Sequence, residues 1–80
     1  MDFSNSTIAE IATSIEQNWP KVNYAAKPYL DAMKSLDKIS DMFYADSGYN
    51  IVGYFLSNAA GFRGEAAKAI KAELNKRLKK

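Results

Sequence analysis

Cysteine and histidine are both absent from the 80-residue chain. The first absence excludes disulfide staples, thiolate metal sites and thiol nucleophiles. The second removes the commonest metal ligand and the commonest general base. No apolar run approaches the roughly 20 residues that a membrane span needs; the longest, Ile51 to Leu56, is interrupted by Gly53. The opening residues, Met1-Asp2-Phe3-Ser4-Asn5-Ser6, lack the basic stretch and apolar run of a secretory signal. A cytoplasmic location with no membrane partner is therefore the default expectation.

What is present reads as an ordinary globular chain, 48% apolar and 25% charged, with a net charge of +2. One domain, 1–80, is expected at this length. Its charge is unevenly placed: residues 1–62 carry four lysines against seven acids, net −3, and residues 63–80 carry seven cations against two glutamates, net +5. An acidic body with a basic end can mark a surface for nucleic acid or an acidic partner. Lysine and arginine near a helix C-terminus also complement the macrodipole, whatever the function.

Four helical patterns fill the chain. Ile8, Ile11, Ala12, Ile15 and Trp19 form one stripe, predicting a helix over about 4–18. Ser4 can cap it with Phe3 stapled onto Ile8, and Thr7 with Glu10 offers a second capping box one turn later. Trp19-Pro20 ends it, because a residue before proline leaves the helical region. Helical spacing resumes from Val22, but Pro28 lies within it. Either the chain breaks and a helix starts with Pro28 in its first turn, or one helix is kinked. The break is favoured, since proline inside a helix costs about 3 kcal/mol. That second helix is predicted over 28–44, through Leu30, Met33, Leu36, Ile39 and Phe43.

Asp46-Ser47-Gly48 is a stop-and-restart signal, with Asp46 or Ser47 able to cap the next helix. A third helix over 49–59 puts Ile51, Val52, Phe55, Leu56 and Ala59 on one face, and Gly53 suggests a neighbouring backbone close by. The last pattern, 62–79, repeats Phe62, Ala66, Ile70, Leu74 and Leu78 every four residues, with Glu73 and Arg77 spaced to pair. No segment alternates with period two for long enough to argue a strand. The expected fold is all-α: a compact bundle of about four helices with short turns and no sheet. Trp19, Phe43, Phe55 and Phe62 are the bulky candidates for its centre.

Reactive constellations are scarce. Asp37 and Asp41 would share a helix face, yet two aspartates without further ligands read as solvated surface. Asp46-Ser47-Gly48-Tyr49-Asn50 is oxygen-rich but lacks the ligand spacing and terminal glutamate of a calcium loop, and capping accounts for it. Gly61-Phe62-Arg63-Gly64 fits no nucleotide-binding spacing. The chain therefore reads as non-enzymatic, with no catalytic residue, cofactor, metal or small-molecule substrate expected.

Two binding readings remain. Phe43, Tyr44, Tyr49, Tyr54 and Phe55 lie within thirteen residues, more aromatic surface than one helix seam buries. Exposed tyrosine is enriched at protein interfaces. Tyr44, Tyr49, Asn50, Tyr54 and Arg63 are the candidate contact residues for another protein or a second copy in a homodimer, as in an adaptor, accessory factor or inhibitor. The alternative treats 49–59 and 62–79 as a DNA-binding helix-turn-helix, with Lys68, Lys71, Asn75 and Lys79 facing the nucleic acid. Against it stand Glu65, Glu73 and a total of two arginines.

Overall fold

Thr7 and Glu10 decide where the first helix begins. The Thr7 hydroxyl accepts from the Glu10 amide at 3.0 Å, and the Glu10 carboxylate accepts from the Thr7 amide at 2.7 Å. Helix α1 is accordingly Ile8–Asn18, not a helix from Ser4. Asp2 captures the Ser4 amide instead, and residues 4–5 form a turn. Trp19 stands at the C-cap, as the following proline requires. The structure, a computed structural model, describes residues 2–79.

Pro28 sits in the first turn of α2, Lys27–Met33, where its missing N–H is harmless. The helix predicted as far as Tyr44 stops after one further residue, Lys34 at the C-cap. Residues 34–41 are irregular because their backbone groups have better partners elsewhere. The carbonyls of Leu36 and Asp37 accept the Ala9 and Ile8 amides at 2.8 and 2.9 Å, satisfying donors that the start of α1 leaves open. Asp41 folds back and accepts the amides of Asp37 and Lys38, both at 3.0 Å. Leu36 is still fully buried, which is why the apolar spacing looked helical.

The expectation of no sheet is also corrected. β1 (Met42–Phe43) and β2 (Asp46–Ser47) pair antiparallel, Met42 opposite Ser47 and Phe43 opposite Asp46, around the two-residue loop Tyr44-Ala45. Phe43, expected at the centre, is only half-buried in this hairpin. Ser47 then caps α3, Gly48–Ser57, accepting the Asn50 amide at 3.3 Å. Gly48 is buried and its N–H reaches the Asp41 carbonyl at 2.7 Å. A Cβ there would collide with the Ile39 carbonyl, so this position must be glycine.

Helix α4 runs Glu65–Leu78, starting later than the periodicity implied. Gly64, at φ 109°, ends the loop in a conformation that only glycine adopts freely. Phe62 therefore packs from the loop. It is 1% exposed, stacked on Trp19 at 5.3 Å, while Phe55 meets the same indole edge-on at 6.2 Å. The helices contact in a ring, α1–α2–α3–α4 and back to α1, around Ile8, Ile11, Ile15, Leu30, Met33, Val52, Ile70 and Leu74. Among the described residues no polar or charged side chain is buried and no helix is long and apolar enough to cross a membrane.

Candidate binding surfaces

The hairpin exists because Met42 and Phe43 face a partner strand across a turn, and that turn fixes what its tip displays. Tyr44 has φ 56°, the only positive φ outside glycine among the described residues. A two-residue hairpin loop favours positive φ at its first position, and glycine or asparagine usually supplies it. Tyrosine there costs about 1–2 kcal/mol through contact of its Cβ with the following carbonyl. The ring gains little burial in return: it stands perpendicular to the Phe43 ring with centroids 4.7 Å apart and is 88% exposed. Met42 on the same hairpin is 60% exposed.

The five residues predicted for protein contact do not form one patch. Asn50 and Tyr54 lie on the outward side of α3, and Tyr54 packs on Tyr29 of α2 with ring centroids 5.3 Å apart. Tyr49 is half-buried on the other flank, ~140° from Tyr54 around the helix. Tyr44 precedes the N-terminus of α3, and exposed Arg63 follows its C-terminus. Gly53 is also on the outer side. The close backbone expected beside it is missing, for a Cβ there would meet nothing within 4 Å.

Basic residues divide as well. Lys71 turns inward, donating to the Phe62 carbonyl at 2.7 Å with its ammonium 5.8 Å from the centre of that ring. Asn75 donates to the Lys71 carbonyl at 2.9 Å. Lys68 and Lys79 remain exposed. Arg77 is used structurally: it pairs with Glu73 at 2.7 Å and donates to the Phe3 carbonyl at 2.8 Å, fastening the N-terminal segment to α4. A cleft of about 470 Å³ opens where α4 begins, with Phe62 and Ala67 in its lining and Arg63, Lys68 and Lys71 around it.

Compared with known protein families, curated proteins and solved structures, the chain matches none.

Sequence reasoning missed three features. Met42 and Tyr24, 60% and 93% exposed, were hidden by the helical pattern that runs through their neighbours. The cleft was missed because Gly61-Phe62-Arg63-Gly64 matches no nucleotide loop and carries no other motif. Available signals were the aromatic pair Phe43-Tyr44 beside Asp46-Ser47-Gly48, which suits a short hairpin, and the Gly64 break ahead of an alanine-rich helix.

Proposed function

We propose that this chain is a non-catalytic protein-binding module, of the adaptor, accessory or inhibitor kind, whose main contact is the hairpin tip. Tyr44 carries the reading. It holds a backbone conformation unfavourable to tyrosine and leaves its ring in water, so neither its conformation nor its burial serves the fold. Strained residues with exposed aromatic rings fit contact sites, where a large, rigid ring with a polar tip gains burial only on binding. Met42 beside it and the exposed Tyr24 and Tyr54 extend the supply of contact surface within the stretch between α1 and α4. The nucleic-acid reading keeps Lys68 and Lys79, while Lys71 and Asn75 are already engaged within the fold.

Capture on immobilised protein tests this. Tyr44→Gly should lose bound protein while retaining its helical circular dichroism, and Lys79→Ala with nuclease treatment should change little. Equal capture by Tyr44→Gly and wild type, or loss on nuclease treatment alone, would contradict the reading.

A further inference from the structure

Two surfaces of this chain complement each other, and they lie at opposite ends of α3. Before its N-terminus, the exposed tip formed by Met42 and Tyr44 belongs to a segment, 37–47, with Asp37, Asp41 and Asp46 against Lys38 alone, net −2. Beyond its C-terminus, the rim of the cleft where α4 begins carries the exposed cations Arg63 and Lys68 against Glu65, with the Lys71 ammonium turned in onto the Phe62 carbonyl and the buried Phe62 and Ala67 beneath. The ten residues of α3 hold the two apart by ~15 Å. The hairpin is anchored at its base by the Gly48–Asp41 hydrogen bond and the Ser47 cap, so a chain cannot place its own tip in its own cleft.

The geometry points to a second copy of this chain as the occupant: the hairpin of one molecule enters the Phe62–Lys71 cleft of the next. The cleft, about 470 Å³ and wide open to solvent, leaves room for a tyrosine ring to lie against it. The acids flanking the tip then meet the cations flanking the cleft, which steers the two surfaces together. A nucleic-acid strand fits less well. Glu65 at the rim repels phosphate, and the Lys71 ammonium is already held by the Phe62 carbonyl. Because tip and cleft are different patches, the contact is heterologous and runs head to tail. It generates rings or filaments rather than a two-fold dimer. This inference rests on the reading of Tyr44 as a contact residue and names its partner.

The test is sedimentation velocity on the purified full chain. Wild type should assemble beyond dimers as its concentration rises, and added salt should weaken the assembly. Tyr44→Ala removes the tip and keeps the cleft; Arg63→Glu with Lys68→Glu removes the cleft's positive charge and keeps the tip. Each variant alone should associate at least about tenfold more weakly. Mixed one to one, they should form a heterodimer and nothing larger. Lys68→Ala, a milder change at an exposed position, should weaken assembly in the same direction if the charge reversal disturbs folding.

A wild type that stays monomeric overturns the inference, as does a mixture that fails to form the heterodimer. A dimer indifferent to the cleft variants overturns it too, and so does duplex or single-stranded nucleic acid bound through Lys68 by an otherwise monomeric protein. The protein-binding reading falls separately, if capture of other proteins ignores Tyr44 or is lost on nuclease treatment alone.

Discussion

Helix α1 starts on a reciprocal capping box and buries one clean stripe, and α4 carries a Glu73–Arg77 pair in its last turns. Between them the local preferences are less well met. Tyr44 takes a positive φ, and Gly53 occupies a helix with open space beside it. The large exposed apolar side chains, Tyr24, Met42, Tyr44 and Tyr54, are all in this middle stretch. Both regions contribute to the same core, so the difference is not one of burial. It lies in choices that folding alone does not favour, and such choices collect where a surface has a second task.

Substitutions can break or sharpen this contrast. The largest effect is expected from Gly48→Ala, in the middle stretch but at its one architectural glycine. The added Cβ meets backbone, which cannot swing aside, so a loss of about 3 kcal/mol or more should appear in denaturant unfolding. A near-neutral result would mean the hairpin shifts easily and is no fixed display. Next, Thr7→Ala removes half of the α1 capping box and should cost about 1 kcal/mol.

Gly53→Ala should do the opposite, raising stability by about 0.5–1 kcal/mol, since alanine favours the helix and its methyl meets nothing. Destabilisation there would remove one leg of the comparison.

The smallest effect concerns pH. The Asp41 carboxylate is held below its ordinary value of 3.8 by the Lys38 amide and then the Asp37 amide. A lowered folded-state value contributes stability that is present above the unfolded value and is lost as pH falls through the folded one. Stability should therefore decline below about pH 4, and Asp41→Asn should flatten that decline in acid unfolding curves. Asp2, lowered in the same direction by the Ser4 amide, keeps part of the slope.

Much of the helical architecture was legible in sequence because its signals are local. Trp19-Pro20, Pro28 and the spacing of Ile70 and Leu74 each act over one or two turns. The region from Lys34 to Ser47 was not, because its conformation is decided at a distance: α1 needs the Leu36 and Asp37 carbonyls, and Gly48 needs the space beside Ile39. Two-residue strands also leave no period to read. Tyr44 and Tyr54 were identifiable as surplus aromatics. Their separation, and the inward turn of Lys71, depended on a hairpin and a loop that periodicity does not encode.

Thermal unfolding of Tyr44→Gly in dilute solution, beside wild type, tests the central claim most directly. If the tyrosine is held there for contact, glycine relieves a strain of about 1 kcal/mol and the midpoint rises by about 4–8 °C with helix content unchanged. A midpoint below that of wild type would show that Tyr44 serves the fold, and the contact surface would have to be sought elsewhere.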